Sequence, residues 1–160
     1  MDTSIPAKPL LAITMGDPAG IGPEIIVKAL QLPQIWRVCR PLVVGHTSVF
    51  ARTASKLGAA LTINQVSDPD VGDSHKIFRR GRLPLLDPCT GVTGSFRVGH
   101  PSANAGNMAV RCIRSAVQLA QSGCVDGIVT APINKKAIHL AGHLYPGHTE
   151  MLADLTETKD

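Results

Sequence analysis

Along this chain short apolar runs, dense in β-branched residues, alternate with longer stretches whose apolar positions recur every three or four residues. The first pattern suits strands buried on both faces and the second suits helices with one apolar stripe, so strands and helices are predicted in turn. Residues 9–15 form the first run, which ends on the turn sequence Gly16-Asp17-Pro18. Ile25, Ile26, Ala29 and Leu30 follow at helical spacing, with Pro23 suited to the first helical position and Glu24 to the first turn. Residues 41–45 and 61–66 read as two more strands, separated by a helix over 48–57 that Gly58 closes. Residues 67–100 are rich in Asp, Pro, Gly and Arg, with apolar pieces only at Ile77-Phe78 and 83–86, which predicts loops plus one or two edge strands.

The longest stripe, Ala109, Ile113, Ala116, Val117 and Ala120, predicts a helix over 103–121 that Gly123 ends. A β-branched run at 125–130 is the next strand, and Pro132 stops it by removing a backbone donor. The fold class is therefore α/β, a mostly parallel sheet covered by helices, and 160 residues suffice for one core. Residues 130–150 then concentrate the polar reactive groups. Asn134 can cap a helix over 135–141 closed by Gly142; Gly147 permits a further turn, and Thr149 can cap a second helix over 150–155. Ligands of open α/β sheets bind beyond the carboxyl ends of strands, where Thr130, Asn134 and Lys135 fall, and free N–H groups at the second helix start favour an anion.

Charge and composition narrow the partners. Lys plus Arg exceed Asp plus Glu by 16 to 12, while aromatics are only 3%, leaving little on which to stack bases; no nucleic-acid partner is expected. The slight basic excess suits an anionic small molecule or an ordinary solvated surface, and the cluster His75, Lys76, Arg79, Arg80 and Arg82 reads as a solvated face. No apolar run approaches the ~20 residues that span a bilayer, and the first residues lack a charged leader with a long apolar core, so no membrane and a cytoplasmic location are expected. Cys39, Cys89, Cys112 and Cys124 form no C-x-x-C pair or zinc spacing and read as reduced, mostly buried thiols. The glycines of 16–24 match neither dinucleotide nor P-loop spacing, leaving a tight turn and a ligand-lining loop both open, and Asp17 can either orient a substrate hydroxyl or cap the turn. His139 and His143 are spaced i,i+4, but Gly142 lies between them and no acidic third ligand follows, so they read as ordinary histidines.

Two blocks, Ile13-Thr-Met-Gly-Asp-Pro-Ala-Gly-Ile-Gly-Pro-Glu-Ile25 and Thr130-Ala-Pro-Ile-Asn-Lys135 through Pro146-Gly-His-Thr-Glu150, resemble the signatures of the 4-hydroxythreonine-4-phosphate dehydrogenase family, including its 4-phospho-D-threonate and 4-phospho-D-erythronate relatives. The resemblance implies an isocitrate/isopropylmalate dehydrogenase-like fold and a homodimer with sites at the subunit interface. It implies NAD(P)-dependent oxidation, with decarboxylation, of a phosphorylated hydroxy acid, in pyridoxal phosphate biosynthesis or related sugar-acid catabolism, assisted by a divalent metal (Zn, Mg or Co). It marks His148 and Thr149 as substrate-binding and sets its Asn-Lys pair on Asn134 and Lys135; position at the strand ends adds Asn134 and Asp17 as substrate-binding candidates and Lys135 as the catalytic candidate. Tyr145-Pro146 tilts toward the phosphothreonate relatives. Members of the family continue further, and the resemblance places their metal histidines and most of the dinucleotide site downstream. Residues 1–160 accordingly read as the amino-terminal α/β part of a two-domain dehydrogenase, apparently truncated, with no metal ligand or cofactor-binding residue assigned. A chain of that kind is expected not to reduce NAD(P) alone and to expose Ile138, Leu140, Met151, Leu152 and Leu155 as an apolar patch. The competing expectation is an inactive fragment that folds and binds a phosphorylated ligand.

Overall fold

Every strand pairing is parallel, so successive strands start from the same end of the sheet. In the computed structural model, which describes residues 8–66, 77–92 and 95–158, the elements run β1 (Leu10–Thr14), α1 (Gly22–Leu30), α2 (Pro33–Val38), β2 (Arg40–Val44), α3 (Thr47–Lys56), β3 (Thr62–Gln65), β4 (Arg82–Leu86), α4 (Ala103–Gln121), β5 (Gly127–Thr130), α5 (Lys135–Leu140) and α6 (His148–Leu155). The sheet order is β3-β4-β2-β1-β5. The α/β class and the parallel sheet expected from the sequence are present. Among the described residues no helix is long and apolar enough to cross a membrane.

Two features depart from the sequence pattern. The piece at 82–86 is no edge strand: β4 lies between β2 and β3, with Leu83, Pro84 and Leu85 buried. Its pairing with β2 begins only at Leu85, one residue beyond Pro84, so the proline's missing N–H falls outside that ladder. The short helix α2, which starts on Pro33 and buries no residue, carries too few turns and too little apolar stripe to be read in advance.

The long helix α4 has two apolar sides. Met108, Cys112, Ala116 and Leu119 join the sheet core with Leu10, Ala12 and Leu42, while Val110, Ile113 and Val117 form a second cluster with Ile138 and Met151. This corrects the expected patch on the last two helices. Ile138 and Met151 are fully buried and Leu152 and Leu155 half-buried, because α5 and α6 dock on the outer side of α4; of the five residues named, only Leu140 is largely exposed. Open apolar surface lies instead beside the edge strand β5. There a groove of about 380 Å³ is lined by Leu11, Ile13, Ile25, Val38 and Val129 among others.

Candidate functional site at the carboxyl end of the sheet

Strands β1 and β5 end together, Thr14 opposite Thr130. Ala131 N donates to Thr14 O at 3.2 Å, and Asp17 N donates to Pro132 O at 2.9 Å, so the two loops leaving the sheet are fastened to each other. Gly16 makes this possible. Its φ is +69°, and a Cβ there would overlap the Pro132 carbonyl and lie 2.8 Å from that of Ala131. At Gly22 a Cβ would overlap the Met15 carbonyl. These glycines permit close backbone packing, the first of the two readings left open by the sequence.

Asp17 is 5% exposed, and its Oδ1 accepts from Ala19 N at 2.9 Å, a turn-capping bond two residues along. Burial pushes its carboxyl above the usual carboxylate range, and the Ala19 hydrogen bond opposes this less strongly. The folded state therefore holds this proton to higher pH than the unfolded chain does, and the destabilisation appears as pH rises from the unfolded value through the raised one. Asp17→Asn keeps an acceptor oxygen and removes the charge. Its Tm is expected to exceed that of the wild type at pH 7, with the gap closing as pH falls below the unfolded pKa; a pH series of thermal melts checks this, and an equal or lower Tm at pH 7 would count against it.

His148 is the first residue of α6, and it is reached from the same corner. The backbone of Ala131 hydrogen-bonds its ring, while Nε2 is buried and has no hydrogen-bond partner. Burial lowers the ring's pKa, outweighing the Ala131 bond, so the imidazole is held neutral more firmly than a solvated one. Thr149 does not cap this helix, contrary to the sequence reading. Gly147, in extended conformation, is the N-cap, no side-chain cap is made, and Thr149 sits exposed inside the first turn. The first-turn N–H groups thus face outward without a side-chain acceptor, with Glu150 as the acid of that turn.

Asn134 is the N-cap of α5, its Oδ1 accepting from Ala137 N at 3.2 Å. Lys135 follows as the first helical residue, exposed, as is Lys136, and neither makes a hydrogen bond or ion pair with the described residues. The corner 130–132 thus gathers Asp17 and His148, with Thr149 beside the latter; among the described residues no hydrogen bond or ion pair joins the Lys135 side chain to them.

The other candidates separate. His139 Nε2 pairs with Tyr145 O at 3.0 Å and His143 Nε2 with Asn107 Oδ1 at 3.1 Å, so the two rings do not converge. Among the described residues no three His, Cys, Asp or Glu side chains come together in a way that could hold a metal ion, and no metal-bound step is assigned to them. Of the basic cluster, His75 and Lys76 lie outside the described residues, Arg79 and Arg80 are exposed, and Arg82 Nη1 reaches Asn64 Oδ1 at 3.4 Å.

Sequence reasoning missed two groups at this end of the sheet. Thr14 Oγ1, on a fully buried residue, has no hydrogen-bond partner. Asp87 accepts from Thr47 N and Thr47 Oγ1, both at 2.8 Å, and from Cys89 N at 2.9 Å, tying the end of β4 to the start of α3. The signal for Asp87 was present: Asp87-Pro88 after β4 repeats Asp17-Pro18 after β1, and both aspartates cap the residue two places on.

A parallel sheet flanked by helices, with polar groups collected beyond β1 and β5, places the chain in the open-sheet α/β class. The family profile described as "Pyridoxal phosphate biosynthetic protein PdxA" matches residues 37–160, and the chain belongs to this family. It is 43% identical over 152 residues to the 4-hydroxythreonine-4-phosphate dehydrogenase of Trichlorobacter lovleyi, covering 92% of this chain and 43% of that protein. It is 39% identical over 155 residues to the D-threonate 4-phosphate dehydrogenase of Pectobacterium atrosepticum, covering 94% and 45% respectively. Among solved structures, a 4-hydroxythreonine-4-phosphate dehydrogenase from Burkholderia phymatum superposes with a TM-score of 0.87 at 40% identity, covering 96% of this chain and 45% of that one. The chain therefore spans just under half the length of the relatives it matches.

Proposed function

We propose that this chain supplies the binding groups for a phosphorylated hydroxy acid, such as 4-phospho-D-threonate or 4-phosphohydroxythreonine, in an NAD(P)-dependent oxidation with decarboxylation. The observation that carries the reading is the buried, unpartnered Nε2 of His148 at a helix start. A buried polar atom without a partner is costly, and a ligand that hydrogen-bonds it relieves that cost. The outward N–H groups of the first turn of α6 and the Thr149 hydroxyl suit an anionic oxygen of the same ligand. Asn134 and Asp17 hold the two loops in place while offering remaining polar atoms. Lys135 brings an ammonium to the start of α5, where it can pair with a carboxylate or stabilise the enolate left by decarboxylation. A nicotinamide cofactor and a divalent metal belong to the proposed reaction of a cytoplasmic homodimer, and none of the residues named above is assigned as a ligand of either. Titration calorimetry with 4-phospho-D-threonate, 4-phosphohydroxythreonine and inorganic phosphate tests the binding. Either phosphorylated hydroxy acid is expected to bind at least ~10-fold more tightly than phosphate, the margin of one hydrogen bond to a charged group; equal affinities for all three would overturn the reading.

The competing reading is a protein that binds the phosphorylated ligand without redox chemistry. An absorbance assay for NAD(P)H formation separates the two.

Lys135→Met is expected to weaken binding of the same ligand several-fold and Lys136→Met to leave it unchanged, since charge pairing at an exposed site is worth up to about 1 kcal/mol. Equal, small effects would leave Lys135 no special role.

A further inference from the structure

We propose that Cys89 and Cys112 form a redox-active dithiol that hydroperoxides convert to an internal disulfide beneath the carboxyl end of the sheet. The two sulfurs lie 3.9 Å apart on fully buried residues, although 23 positions separate them in sequence. Cys89 follows the Asp87-Pro88 turn at the end of β4, and Cys112 sits in the middle of α4, facing the sheet. Both belong to the main core, and Cys89 Sγ also approaches Met108 O at 3.7 Å. A disulfide needs the sulfurs at about 2.05 Å, so closure asks for a movement of about 2 Å, which a turn accommodates more readily than the centre of a long helix.

The pair is asymmetric. Either thiol can donate in the contact between them, and that contact holds the Cys89 thiol down, while the same contact and complete burial push Cys112 well up. Cys89 is also on the more accessible element: Thr90 and Gly91, which follow it, are exposed, so opening one turn admits a small peroxide. In the first step the Cys89 thiolate attacks the peroxide, taking one oxygen to give a sulfenic acid as water departs. In the second, Cys112 sulfur attacks Cys89 sulfur and expels the hydroxyl as a second water. Two thiols and one hydrogen peroxide thus give one disulfide and two waters; the thiols lose two electrons and the peroxide gains them.

The consequence is local. Met15, whose backbone lies against Cys112 Sγ, leads directly into Gly16 and the bond from Asp17 to Pro132, so the dithiol lies under the loop pair that builds the binding corner. Cys39 and Cys124 provide internal controls: the Cys39 thiol donates to Ile35 O at 3.5 Å, and Cys124 accepts from Ser122 Oγ at 3.2 Å.

The test is a hydrogen peroxide titration of the folded 160-residue chain, quenched with an alkylating reagent and read by intact mass and peptide mapping. The expected product has lost two hydrogens, carries a Cys89–Cys112 cross-linked peptide, is restored by dithiothreitol, and is absent from C89S and from C112S. The same titration in urea should lose the preference for this pair. Peroxide doses that oxidise Cys124 while Cys89 and Cys112 remain alkylatable would overturn the proposal, as would oxidation of either cysteine to a sulfinic acid without cross-linking. Because the wild-type map is itself decisive, a serine variant that fails to fold leaves the outcome readable.

Discussion

Gly106→Ala is expected to destabilise the chain by about 3 kcal/mol or more, the upper range of overpacking penalties. Gly106 lies in the second turn of α4, where intrinsic propensity favours alanine by about 1 kcal/mol, so a surface helix would gain from the change. Here a Cβ would overlap the carbonyl of Ala137 and stand 2.8 Å from Ile138 N. Both neighbours are backbone and neither can swing aside, so α5 must move away from α4. That movement opens the second apolar cluster, in which Ile138 and Met151 are fully buried. Asn134 and Lys135 at the start of α5 move with it, so ligand binding should weaken together with stability. Urea denaturation measures the effect; a variant as stable as the wild type would mean that the two helices are not in backbone contact.

His148→Ala is expected to weaken binding of a phosphorylated hydroxy acid by ~10-fold or more, because a hydrogen bond to a charged group is worth ~1.5–3 kcal/mol. His148→Gln, which keeps a polar group of similar reach, should recover part of the loss; a merely structural histidine would instead show lowered Tm with unchanged affinity. The pH behaviour follows from the depressed ring pKa. As pH falls below about 6.5 the unfolded ring takes up a proton that the folded ring refuses, so stability falls with pH until the lowered folded value is reached. An anionic ligand at Nε2 favours the protonated ring, so binding should be accompanied by proton uptake and should tighten as pH drops from 8 towards 6. Calorimetry in buffers of different ionisation enthalpy counts the protons.

Much of the fold was legible because the strands are short, β-branched and bounded by turn residues. The run at 125–130 became Gly127–Thr130, the run at 61–66 became Thr62–Gln65, and the stripe over 103–121 matched α4 at both ends. Sheet order was not legible, since in a parallel sheet the crossovers choose each strand's neighbours and nothing in Arg82–Leu86 says that it inserts between β2 and β3. Periodicity marked Ile138 and Met151 as apolar without naming their partner. Gly106 decides that by letting α5 lie against α4, and a lone glycine in a helical stripe does not announce which backbone will meet it.

For the site, the polar block was visible but its internal division was not. Asn134 caps as its residue type suggests, whereas Thr149 yields the cap to Gly147, whose extended backbone leaves His148 at the head of the helix. The orphaned Nε2 of His148 and the buried hydroxyl of Thr14 depend on how tightly two loops close over them, which no residue spacing encodes. The contact between Cys89 and Cys112 likewise arises only once the turn that follows β4 meets α4.

The most direct measurement is the ring nitrogen spectrum of His148, assigned by its loss in His148→Gln and followed by 15N NMR as 4-phospho-D-threonate is added. A saturable shift of Nε2, with the same midpoint as calorimetry and larger than that of any other histidine ring, is the expected result. A His148 ring unchanged at saturating ligand, with the shifts appearing at His139 or His143 instead, would contradict the assignment of the binding site.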